Sequence, residues 1–96
     1  MTFEEFHRTI SNTHPPEKLN LILKALWYDA KDQWEQSHAI VQDIHTIEGS
    51  RIHAYLHRKE GDLANARYWY SQAGETIPKI SLIEEAELLI NRYLKQ

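Results

Sequence analysis

Cysteine is absent from the 96-residue sequence, and glycine and proline are scarce, with three of each. Without cysteine the chain can form no disulfide, no thiolate metal site and no cysteine nucleophile. The few glycines and prolines lie between apolar stretches with helical spacing, and almost no strand-like alternation is present. No apolar run approaches the roughly 18 residues of a membrane span. These absences predict a single soluble all-α domain over residues 1–96.

An excess of basic charge is also missing, because 11 lysines and arginines face 14 acidic residues, for a net charge of −3. This balance argues against non-specific nucleic-acid binding. Glycine-rich phosphate loops and the G-x-S-x-G and S-x-x-K motifs are absent, which favours a protein that is not an enzyme. The N-terminus resembles no secretory signal. We therefore expect a cytoplasmic protein without a cofactor that binds neither nucleic acid nor a membrane.

Capping signals and turn residues divide the chain into about six predicted helices. Thr2 with Glu5 and Ser81 with Glu84 have the spacing of capping boxes, and Gly61 is a typical helix end. A proline is tolerated in the first turn of a helix, so Pro16 can begin one. The predicted helices run from Thr2 to about Asn12, from about Pro16 to Ala30, from Asp32 to about Asp43 or Ile44, through Ile52 and Tyr55 to Gly61, from Asp62 to Ala73, and from Ser81 to Leu94.

Two pairs of these helices are joined by only two or three residues, which predicts two antiparallel helical hairpins. Their turns align at an offset of 29 residues, with Ala25-Leu26-Trp27-Tyr28 beside Ala54-Tyr55-Leu56-His57. Small residues such as Ala66 allow close helix packing. Because two copies are fewer than the usual three of a repeat array, the flanking helices are expected to act as caps.

The second hairpin resembles the tetratricopeptide and Sel1-like class of helical repeats. The resemblance covers about residues 18–78, and the positions that carry it are Gly61, Leu63, Ala66, Tyr70, Ala73 and Pro78. It implies two degenerate tetratricopeptide-like hairpins and a role in binding other proteins. The segment Ala54–Tyr70 is also similar to small uncharacterised bacterial proteins, which implies a bacterial cytoplasmic setting and no particular activity.

Six histidines are many for a chain of this length. His53 and His57 are four residues apart and share a helix face, and Glu60 continues that face. This spacing can chelate a metal, but the H-E-x-x-H pattern is not met because Ala54 follows His53. Lacking an evident third ligand, the pair predicts no tight metal site.

Two other interpretations of the histidines remain open. In the first, the rings are structural and pack near Ala66 and Tyr70 with hydrogen bonds to neighbouring polar groups. In the second, they line a polar pocket for a small ligand such as an anion, because basic residues crowd the same stretch. The candidate ligand-binding residues are His38, His53, His57, Asn65 and Tyr68.

Aromatic residues are the other notable group, with three tryptophans and five tyrosines. Consecutive aromatics on a helix, such as Tyr68-Trp69-Tyr70, cannot all face one core. Trp, Tyr and Arg dominate protein interfaces. We therefore predict a non-catalytic module that binds another protein or associates with itself as a homodimer. The alternative is a small-ligand-binding protein or enzyme with the histidine-lined pocket. The candidate partner surface consists of Trp34, Tyr55, Arg58 and Trp69.

Overall fold

The computed structural model of the protein describes residues 1–95, which contain six α-helices and no strand. This confirms the predicted all-α fold with about six helices. No helix in this part of the chain has both the length and the apolar character needed to cross a bilayer. The helices are α1 (Phe3–Arg8), α2 (Leu21–Ala30), α3 (Trp34–Val41), α4 (Ile47–Glu60), α5 (Leu63–Gln72) and α6 (Leu82–Leu94).

Most helix ends follow the predicted capping signals. Thr2 and Ser81 form complete capping boxes with Glu5 and Glu84, and Asp62 caps α5 through the backbone N–H of Asn65. Gly61 ends α4 with a φ of +91°, a left-handed conformation that costs glycine little. These ends are local in origin, because each one depends on residues at most three or four positions apart.

Four predicted boundaries are wrong, and one of them is the end of α3, which lies at Val41 instead of at Asp43 or Ile44. The second helix begins at Leu21 rather than Pro16, because the Asn20 side chain caps it by accepting from the N–H of Leu23. Asp32 does not cap α3; its φ is +61°, and Gln33 precedes the helix without a side-chain cap. The first helix ends at Arg8 and continues only as a 3-10 turn over Thr9–Ser11.

Helices α2 and α3 pack against each other, as do α4 and α5. Helix α4 also contacts α2, α3 and α6. Helices α1, α2, α4 and α6, together with Val41 of α3, form the main core around the fully buried Trp27, Leu26, Ile52 and Leu56. A second, smaller cluster holds the α4–α5 pair together through Ala54, Ala66 and Tyr70. The predicted burial of Ala66 is confirmed. The contact between α3 and α4 joins the two helix pairs, and three of the six histidines lie there: His38, His53 and His57.

Candidate functional site

Three imidazole rings meet where α3 crosses α4, and we call His38, His53 and His57 the histidine cluster. His38 comes from α3, whereas His53 and His57 lie one turn apart on α4. One ring nitrogen from each histidine lies within 4.8 Å of one from each of the other two. The Nε2 atoms of His38 and His53 are 3.1 Å apart, so one ring donates a hydrogen bond to the other. The predicted ligand-binding histidines are thus brought together.

The protonation pattern of His57 follows from its two neighbours. Its Nδ1 lies 2.6 Å from Oε2 of Glu60, and its Nε2 lies 3.3 Å from Nδ2 of Asn65. A carboxylate only accepts and an amide nitrogen only donates. In its neutral form His57 therefore carries its proton on Nδ1 and keeps the Nε2 lone pair, which is the electron pair that a metal ion would need.

Two tryptophans form the walls of the histidine cluster. The Trp34 ring stacks on His38 with centroids 4.9 Å apart, and the Trp69 ring stacks on His53 at 4.1 Å. Trp34 also donates from Nε1 to the carbonyl oxygen of Leu56 at 2.8 Å, across the contact between α3 and α4. Both indoles are half-buried. Their stacking fixes the planes of these two imidazoles.

Burial disfavours the protonated forms of His38 and His53. Desolvation, followed by the neighbouring imidazoles His38 and His57, lowers the pKa of His53 to about 4. Desolvation and then His57 also lower the pKa of His38. Both rings are therefore neutral near pH 7. Neutrality allows the Nε2 atoms of His38 and His53 to share one hydrogen bond instead of repelling each other.

The sequence argument against a metal site assumed that His53 and His57 have no third partner, and this assumption is wrong. His38 is 15 residues from His53 in the sequence, but α3 places it within hydrogen-bonding distance. Imidazole nitrogens are common ligands of zinc, copper, nickel and cobalt. The histidine cluster has the donor set for such an ion.

The remaining candidate residues lie beside the histidine cluster, on the surface or in the core. Asn65 contacts the histidine cluster through His57, whereas Tyr68 is exposed and contacts Trp69 edge-on. Tyr55, expected on a partner surface, is only 2% exposed, and its hydroxyl donates a hydrogen bond to the buried Asp29 carboxylate. Tyr55 therefore belongs to the core.

Arg58, also expected on the partner surface, is mostly buried and paired with Glu85 at 2.7 Å. Glu85 also accepts a hydrogen bond from the Tyr70 hydroxyl at 2.7 Å. The other basic side chains of α4 are paired in the same way, Arg51 with Glu75 and Lys59 with Asp29. The apparent local surplus of positive charge is thus neutralised by acids from α2, α6 and the loop after α5, which removes its support for an anion pocket.

Sequence reasoning did not identify these acids as partners. Asp29 and Glu85 are buried carboxylates on helices that are otherwise amphipathic. The available signal was their position on apolar helix faces, because a carboxylate is rarely buried without a partner. It could have shown that each needs a cation, but not which one.

Comparisons of the chain with protein-family models, with curated proteins and with solved structures give no match. The tetratricopeptide resemblance therefore stays a prediction, and the residues themselves carry the functional argument.

Proposed function

We propose that this protein is a binding domain for a divalent transition-metal ion, which it holds at the histidine cluster. The observation that carries the proposal is the convergence of His38, His53 and His57 from two helix pairs, with a nitrogen of each within 4.8 Å of the others. Two of these imidazoles are fixed by stacked indoles, and the third by Glu60. Ligands held in place before binding lose less conformational freedom when the ion arrives.

The decisive experiment is a zinc titration of the purified protein in competition with a chromophoric chelator. We expect one Zn²⁺ per chain with micromolar or tighter affinity. The His57→Ala variant should lose more affinity than the roughly 10–100-fold that removal of an outer-sphere partner costs. A matched control is His45→Ala, because His45 is exposed and lies outside the histidine cluster. Absence of stoichiometric binding by the parent protein would refute the proposal.

Self-association is a second candidate function, and a different surface favours it. Ile83 is 80% exposed and lines an open, mostly apolar groove of about 290 Å³ together with Phe3 and Ala86. Exposed apolar groups at a groove are typical of protein contact sites. A second copy of the chain could cover this surface through a two-fold axis, since one self-complementary patch closes a dimer.

A further inference from the structure

We infer that the histidine cluster forms a tetrahedral Zn²⁺-class centre with three imidazole ligands and a fourth position open to water or a small anion, and that Glu60 positions His57. This inference rests on the proposed function and specifies its coordination chemistry. It is carried by three features of the site: the spacing of the nitrogens, the number of donors and the hydrogen bonds of His57.

The spacing of His38 and His53 matches one edge of a tetrahedron. With Zn–N bonds of about 2.0–2.1 Å, two ligands at a tetrahedral angle have nitrogens about 3.3 Å apart. The Nε2 atoms of His38 and His53 are 3.1 Å apart in the structure. An ion would replace the shared proton at nearly this separation, and each ring would turn so that its lone pair points at the ion instead of along the line between the nitrogens. His57, whose centroid lies 4.9 Å from that of His53, would close the third corner by moving toward the pair.

The number of donors leaves one corner free. Among residues 1–95, the only histidine or acidic group that satisfies the spacing of a metal site with both His38 and His53 is His57. Glu60 and Asp62 approach His57 alone, and both are exposed. A structural zinc site has four protein ligands, whereas a site with three keeps an exchangeable position. The fourth ligand must therefore come from solution.

Glu60 is the outer partner that prepares His57 for the ion. Its carboxylate accepts a hydrogen bond from the Nδ1–H of His57 at 2.6 Å, and this bond leaves Nε2 as the atom that coordinates the ion. Ligand histidines commonly use a carboxylate in this way, which fixes the tautomer and raises the basicity of the ring. Asn65 occupies Nε2 with a longer contact of 3.3 Å, and the ion would displace that amide. Glu60 thus acts through His57 and is a positioning residue.

Cobalt titration tests the coordination geometry directly, because tetrahedral and octahedral Co²⁺ complexes differ strongly in visible absorption. We expect an intense tetrahedral spectrum for the Co²⁺-loaded parent protein and a shift of its bands when thiocyanate is added. A weak octahedral spectrum, or bands that thiocyanate leaves unchanged, would overturn the inference while leaving metal binding intact. Failure of both Co²⁺ and Zn²⁺ to bind would refute the proposed function itself.

The Glu60→Ala variant tests the positioning role. We expect its zinc affinity to fall roughly 10–100-fold, and its metal-free His57 ring to show a changed tautomer balance in ¹⁵N NMR. Glu35→Ala removes the same charge from an exposed position of α3 and should change neither property. Glu60→Gln, whose amide oxygen can still accept from Nδ1, should recover part of the affinity. Equal effects of Glu60→Ala and Glu35→Ala, or an unchanged His57 tautomer, would refute the role of Glu60.

Discussion

Ala66 occupies a position where a single side chain limits the approach of two helices. It is completely buried between α4 and α5, beside Ala54 and Tyr70. Enlarging the side chain in such a packed contact forces displaced rotamers or backbone shifts. We expect Ala66→Leu to lower the free energy of unfolding by about 1–3 kcal/mol. Thermal and urea denaturation measure this, with the exposed Ala64→Leu as the control. An Ala66→Leu variant as stable as the parent would contradict the close packing of this pair.

Glu85 is the buried carboxylate on which two other side chains depend. It accepts from Arg58 and from the Tyr70 hydroxyl, and its own side chain is 7% exposed. Removing one partner of a buried ion pair leaves the other charge uncompensated. We therefore expect Glu85→Ala to destabilise the protein by about 3–5 kcal/mol in denaturant titrations. Glu87→Ala, at an exposed position of the same helix, should have almost no effect. Similar losses for both variants would show that the pairing is unimportant.

Glu84 provides a prediction of pH dependence at the start of α6. Hydrogen bonds from the backbone N–H and the hydroxyl of Ser81 lower the pKa of Glu84 below its usual value. A carboxyl group whose pKa is lower in the folded state contributes stability above its unfolded pKa, and loses it as the pH falls through the folded value. The cap should therefore weaken below about pH 4.5. Carbon-13 NMR titration should show Glu84 deprotonating at a lower pH in the folded protein than in the urea-unfolded protein. Ser81→Ala should reduce this difference without abolishing it, because alanine lacks the hydroxyl but keeps the backbone N–H that donates to Glu84.

At the scale of the elements, α3 has few buried side chains of its own. Only Ser37 and Val41 are buried among its residues, no side chain caps its start, and the buried Ser37 hydroxyl has no hydrogen-bond partner. Its links to α4 include the Trp34–Leu56 hydrogen bond and the His38–His53 contact. A helix with few buried apolar side chains opens locally more often than the core does.

Metal binding at the histidine cluster should therefore stabilise α3 in particular. If local opening of α3 breaks the site, zinc at about 100 times its dissociation constant should slow amide exchange in α3 by about a hundredfold. Hydrogen-exchange mass spectrometry with and without zinc measures this, and α6 serves as the internal reference. In His38→Ala the protection of α3 should disappear. Uniform protection of both helices would mean that the ion stabilises the whole fold and not the contact between α3 and α4.

At the scale of the whole molecule, most aromatic rings are used internally. Trp27, Tyr55 and Tyr70 are buried, while Trp34 and Trp69 lie against the histidines. The surface that was expected to carry a partner is therefore smaller than the aromatic content indicates. The exposed Ile83 on α6, which lines the apolar groove, remains a candidate for a contact surface.

Self-association through the Ile83 groove can be tested by light scattering over a hundredfold concentration range. We expect the mass to rise from 11.4 kDa toward twice that value, and Ile83→Ser to weaken the association by removing an apolar anchor. Leu88→Ser is the matched control, since Leu88 is exposed on the same helix but does not line the groove. A constant mass of 11.4 kDa at all concentrations would exclude a dimer.

The local features of this protein were determined by its sequence. Thr2, Asp62 and Ser81 cap helices through backbone groups three residues away, and Gly61 ends α4 because it tolerates a positive φ. Such interactions need no tertiary context, so the pattern of residues predicts them. Where two local signals compete, the prediction fails: Pro16 can begin a helix, but Asn20 provides the cap that the chain uses.

The site was decided by the tertiary structure. The pairing of His53 with His57 follows from helical periodicity, and His38 was itself a candidate, but its contact with them depends on how α3 crosses α4. The same holds for Tyr55 and Arg58, whose burial required Asp29 and Glu85 from other helices. The angle and register of packed helices result from many weak side-chain contacts between distant residues. Spacing along one helix determines which residues share a face, and only the assembled core determines what that face meets.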